Sequence, residues 1–258
     1  SKKLFYLNKE KIKNFKNIKT NLLPKKKSIR VLISSHAFLD SPHVYGKNLF
    51  VDFEEWFNFL NKIIRSTTYE WFIKPHPNKD TISNNSINNF LRKNKRVKLI
   101  DSNYNINHLA KMNIDFVLTI FGVVAREYPL RKINVINASA VNPHRFFNFS
   151  YTCKNLKKYS DILLNLNKFK YKPNKKDLYI YHYMNDKFFN RNYLFKDFDN
   201  EVLKTGGIKN FYNENFYNRW VYNKKKTNHK IINSYIENFV KSEDYALSLK
   251  HQNLNNEN

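Results

Sequence analysis

The chain has 258 residues, 41% hydrophobic and 16% aromatic, enough for a sizeable buried core. Its 46 Lys and Arg against 21 Asp and Glu give a formal net charge of +25, which suits partners that carry phosphate: a nucleotide, a nucleic acid or an anionic membrane surface. The single cysteine, Cys153, excludes an internal disulfide and a Cys-rich zinc site, and no stretch approaches the roughly 18 apolar residues of a membrane span.

The positive charge is spread along the chain, and Lys, Asn, Ile, Phe and Tyr are abundant together, as an AT-rich genome produces. Charge alone therefore does not argue for nucleic-acid binding. The opening segment is charged throughout and does not read as a signal peptide. The expectation is a cytoplasmic protein, attracted peripherally to the inner face of the bacterial inner membrane by its basic residues.

Residues 1–27 read as a basic lead-in ending in "PKKK". Short apolar runs then predict strands at 29–35, 69–74, 97–101, 115–120 and 133–139. Between them, apolar residues at helical spacing predict helices at 50–66, 86–94, 106–112 and 123–131. Strands alternating with helices predict an α/β, Rossmann-like parallel sheet with helices on both faces, over residues 28–170. A helical extension is expected over 171–250, with helices at 175–189 and 229–249, and a disordered tail over 251–258.

In such a sheet ligands bind beyond the carboxyl ends of the strands. Four of the eight histidines and two of the four glycines fall in those exits. The first exit carries His36, Asp40, His43 and Gly46; the second "KPHP", with Lys74, His76 and Pro77; the fourth Thr119, Gly122, Val123, Arg126 and Glu127; the fifth His144. Pro75 and Pro77 flank His76. Proline fixes φ and restricts the residue before it, so the imidazole is aimed from a stiff backbone, as a phosphate contact requires. Gly122 precedes a predicted helix start, where N–H groups suit a phosphate, and Glu127 is placed to accept hydrogen bonds from a ribose diol.

"KPHP" after one strand, paired with a Gly-containing turn and a Glu in the next helix, resembles the C-terminal nucleotide-binding domain of GT-B glycosyltransferases. The His-Pro pair resembles bacterial transferases of capsule and surface-polysaccharide synthesis that use CMP-activated sugars, the sialyltransferases and Kdo transferases. Teichoic-acid glycerophosphotransferases, which use CDP-glycerol, are similar. The resemblance covers roughly residues 28–170. It implies that His76 contacts the donor phosphate, that backbone around Gly122 does the same, and that Glu127 holds the ribose. It also implies a CMP-sugar donor, or CDP-glycerol as the alternative, with a glycan or lipid-linked acceptor. Thr119 and Gly122 stand where the sialyltransferases have a serine pair.

Enzymes of this family have two Rossmann-like domains, and one βα series is visible here. A local catalytic base would come from the first exit, with Asp40, His36 and His43 as candidates. Lys74 and Arg126 are candidates to stabilise developing phosphate charge. No cofactor and no metal are expected, since the histidines lack metal-ligand spacing; "DFD" at 197–199 lies outside the α/β region. A non-catalytic module binding nucleotide or anionic glycan is the rival reading, and nucleic acid a more distant one.

Overall fold

The computed structural model describes residues 28–77, 80–104, 106–185, 213–215, 218, 222, 229–244 and 251. The lead-in 1–27, the "DFD" motif and the tail beyond His251 lie outside them. The chain divides into two compact units, meeting in sequence at Tyr179 and Ile180.

The first unit is built on six parallel strands: β1 Arg30–Ser34, β2 Glu70–Lys74, β3 Lys98–Leu99, β4 Phe116–Thr119, β5 Asn134–Asn137 and β6 Tyr151–Thr152. Their order is β3-β2-β1-β4-β5-β6. This is the doubly wound Rossmann-like arrangement, and its topological switch lies between β1 and β4. The expected α/β class and the first five strands are all present.

Both faces of the sheet are covered. Val31, Ile33, Trp71, Ile73, Phe116, Leu118 and Ile136 bury themselves with helices α1 Phe53–Arg65, α2 Thr81–Lys93 and α5 Leu156–Leu164. Their sequence neighbours Leu32, Phe72, Val117 and Val135 point to the opposite face, as the two-residue period of a strand demands. There they pack with α3 Ile106–Lys111, α4 Val124–Glu127 and the 3-10 turn Tyr128–Arg131. Apolar on both faces, these strands read in sequence as continuous hydrophobic runs.

Three elements depart from the sequence reading, two of them for a clear physical reason. Helix α2 begins at Thr81, ahead of the predicted start at 86, because the Asp80 carboxylate accepts from Ser83 N–H at 2.7 Å and caps it. The first turns are polar and bury little, so periodicity could not show them. The helix predicted at 123–131 is one α turn followed by a 3-10 turn, since Pro129 has no N–H to continue the ladder. Strand β6, two residues long, was not predicted at all.

Helix α6 Lys175–Tyr183 covers the start of the predicted 175–189. In the second unit, α7 His229–Ser242 covers most of the predicted 229–249. His251 is fully buried, with Nε2 2.8 Å from Asp244 Oδ2 and 3.0 Å from Ser242 Oγ. Among the described residues, no helix is long and apolar enough to cross a membrane.

Candidate functional site

The last side chains of four strands form one row. Register pairs Ser34 with Lys74 and Thr119 with Asn137, and the pairing of Ile33 with Leu118 sets Ser34 beside Thr119. All four share parity with Leu32, Phe72, Val117 and Val135, so they end the sheet on the face of α4. All four are also buried. A buried polar row at the carboxyl edge of a hydrophobic sheet costs stability unless its groups are satisfied, so it marks the edge as built for something other than core.

The exit from β4 is stapled from inside. His36 is buried, stacked on Phe53 at 4.8 Å, and its Nε2 accepts from Ile120 N–H at 3.3 Å and Phe121 N–H at 3.5 Å. Nε2 therefore carries no proton, and the Thr119 hydroxyl donates to it at 3.1 Å. The Thr119 oxygen in turn accepts from Gly122 N–H at 3.1 Å. Burial, with the nearby His76 adding to it, pulls the His36 pKa down to about 3, so the ring stays neutral. These bonds make His36 a turn-holding residue and leave it little basicity for proton abstraction.

Gly122 is needed for close approach: a Cβ there would meet Thr119 Oγ1 at 2.8 Å. Its N–H points to Thr119, and α4 spans a single turn, which carries little dipole. His43 is exposed and has both ring nitrogens engaged within its own loop. Nε2–H donates to Val51 O at 2.8 Å, and Nδ1 accepts from Asn48 N–H at 3.3 Å.

The remaining candidates face the edge. His76 is half-buried, and burial lowers its pKa against the opposing pull of Asp40. Lys74 and Asp80 also act on it. Asp40 is exposed, in a turn where its N–H bonds Ala37 O at 3.0 Å. Pro77 and Val123 are exposed beside them. Lys74 is 8% exposed; burial brings its pKa down to about 8, with Glu127 and Asp101 holding it up. Arg126 and Glu127 are half-buried on α4. His144, buried and stacked on Phe149 at 5.3 Å, is drawn down to about 4 by burial and then by the Arg126 charge.

Charge links His76 with Asp40 and Lys74, Lys74 with Glu127 and Asp101, and His144 with Arg126. His36, His43, Thr119 and Gly122 also make hydrogen bonds within and between the loops. Sequence reasoning missed Ser34, Asp101 and Asn137. Each stands at or just beyond a strand end, which is the signal that could have found them. Gly46, at φ 112, lets the first loop turn against Val141 of the fifth, within 3.6 Å of where its Cβ would be.

Among the described residues no group of three or more His, Cys, Asp or Glu is arranged for a metal. A cleft of about 380 Å³, lined by Asn113, Asp115, Arg131 and Lys132, lies at the opposite, amino-terminal edge.

No family model and no curated protein matches the chain. Among solved structures, it is similar to the wall teichoic acid polymerase TagF at 17% identity and a TM-score of 0.37, over 67% of this chain and 42% of that one. Two variants of the same polymerase give 14% and 17% identity with TM-scores of 0.36 and 0.37. The chain therefore spans less than half the length of that polymerase. Likeness at this TM-score carries no argument, and the reading of function rests on the strand exits themselves.

Proposed function

We propose that the α/β unit is the donor-binding half of a nucleotide-dependent transferase of surface-polymer synthesis, with a CDP-linked donor of the CDP-glycerol kind. The observation that carries this reading is the buried polar row with Lys74, His76, Arg126 and Glu127 at the carboxyl edge, beside the topological switch. Nucleotides bind such edges because strand ends and loop starts leave polar groups aimed outward.

CDP-glycerol is preferred over a CMP-activated sugar on one point. The resemblance to CMP-sugar enzymes turns on hydroxyls after the fourth strand, and the Thr119 hydroxyl is spent on His36 and Gly122. In this reading an acceptor hydroxyl oxygen attacks the glycerol-bearing phosphorus. The new P–O bond forms as the anhydride P–O bond breaks, and CMP leaves. His76 takes the acceptor proton, with Asp40 stabilising the imidazolium that results. Arg126 offsets the charge that develops on the leaving phosphate. The acceptor, a glycan or lipid-linked glycan, is assigned from the resemblance, as is approach to an anionic membrane surface.

The test is turnover with CDP-glycerol, CMP-Kdo and CMP-sialic acid in parallel, reading nucleotide release with and without a glycerol-phosphate acceptor. CMP release from CDP-glycerol that His76→Ala abolishes supports the proposal. Release from a CMP-sugar alone returns the donor to the other class. Tight nucleotide binding without turnover of any donor makes the unit a binding module.

A further inference from the structure

The loop between β1 and α1 is tied down along its length and carries an exposed ring. His43 bonds Val51 O and Asn48 N–H, Gly46 N–H donates to His43 O at 2.9 Å, and the buried Asn48 amide donates to Pro42 O. Gly46 sets the same loop against Val141 of the fifth exit. Tyr45 stands between His43 and Gly46, with 48% of its surface exposed.

Its ring is the outer member of an aromatic ladder that leads out of the core. Phe53, buried at the start of α1, stacks on the buried His36 ring at 4.8 Å with 2° between the planes. His36 meets Phe121 at 4.7 Å, and Phe121 meets Tyr45 edge-on, at 5.4 Å and 82°. Tyr45 belongs to the loop after β1 and Phe121 to the exit of β4. Their contact therefore bridges the topological switch, where sheets of this kind take their ligands. Phe146, also exposed at this edge, differs: the Arg145 guanidinium lies over its ring at 4.5 Å.

We propose that Tyr45 is a base-binding residue: the pyrimidine of the nucleotide stacks on its ring, and the loop after β1 forms the base subsite of the donor site. A ring fixed by an edge contact to Phe121, on a loop closed by its own hydrogen bonds, loses little further freedom when a flat base lies against it. Stacking also removes apolar ring surface from water, which a half-exposed tyrosine otherwise leaves wet.

This inference rests on the nucleotide reading proposed above. Calorimetry on the full chain compares CDP with ribose 5-phosphate, which has no base, for the wild type, Tyr45→Phe, Tyr45→Leu and Tyr45→Ala. Tyr45→Leu keeps an apolar contact for Phe121, so it guards against a loop that shifts in Tyr45→Ala. Stacking predicts that Tyr45→Ala and Tyr45→Leu weaken CDP binding about tenfold, the order expected for one lost base–aromatic stack. Tyr45→Phe should bind CDP as the wild type does, and ribose 5-phosphate should not distinguish the four proteins. The cytosine H5 and H6 resonances of CDP should move upfield on binding to the wild type and Tyr45→Phe, and not on binding to Tyr45→Leu. CDP affinity unchanged in Tyr45→Ala overturns the inference and leaves the nucleotide reading standing. Equal losses for CDP and ribose 5-phosphate overturn it too, and make Tyr45 a support of the loop. A loss in Tyr45→Phe as large as in Tyr45→Ala makes the hydroxyl the contact and also overturns it. A wild type that binds neither CDP nor ribose 5-phosphate overturns the nucleotide reading, and this inference with it.

Discussion

Among the described lysines and arginines, two are buried, and they stand at opposite ends of the sheet. Arg30 opens β1 at the amino end. Its Nε donates to Glu70 Oε2 at 3.2 Å and its Nη1 to Met112 O at 2.8 Å, while its backbone N–H bonds Asp115 Oδ2 at 2.8 Å. Direct bonds thus close around it and tie β1 to β2 and to the segment before β4. Lys74 closes β2 at the carboxyl end, where Glu127 and Asp101 act on it from two different elements. A charge that holds a fold is closed by short bonds. The Lys74 charge is buried at a cost that Glu127 and Asp101 offset in part.

Breaking the first cation should have the largest effect. Arg30→Met removes the guanidinium that donates to Glu70 Oε2 and the Met112 carbonyl, and should cost about 3–5 kcal/mol of stability. Urea unfolding measures it, and the folded fraction should keep its nucleotide affinity.

Lys74→Met should do the opposite at neutral pH. The folded pKa of Lys74 is lowered from 10.5 to about 8, so burying the charged form costs stability. Between those values the unfolded chain binds more protons than the folded one, and stability rises with pH. Lys74→Met should therefore stabilise the protein at pH 7, by about 1–3 kcal/mol. That gain should shrink as pH climbs through 8 toward 10.5.

The third effect, of similar size, is steric. Gly122→Ala puts a Cβ 2.8 Å from Thr119 Oγ1 and should cost about 1–3 kcal/mol, since the staple around His36 cannot easily move. Thermal unfolding reads that cost. If Gly122→Ala were as stable as the wild type, the staple would be looser than its bonds indicate.

The same division explains what the sequence could tell. The sheet was legible because both faces of each strand are buried, which writes long apolar runs into the chain. Helix α2 was half legible: Ile87 and Phe90 show its period, while its start depends on the Asp80 cap. Histidines at strand exits looked alike in sequence. Their fates depend on partners brought close only by folding: His36 bonds Thr119, His43 bonds the backbone of its own loop, and His76 feels the Asp40 charge. Lys74 gave no sign of burial, because a lysine next to "PHP" reads as exposed. Asp101 was hidden because β3 is two residues long and its exit carries no other unusual residue.

The proposed function requires that the carboxyl edge of the sheet bind a cytidine nucleotide. Titrating CDP into isotope-labelled protein and following backbone amide shifts tests it directly, because the two ends of the sheet report separately. Saturable shifts are expected at Lys74–His76 and Phe121–Glu127, with little change at Asn113–Asp115 and Arg131–Ile133 beside the amino-edge cleft. Shifts confined to the amino edge, or none at millimolar CDP, would contradict it.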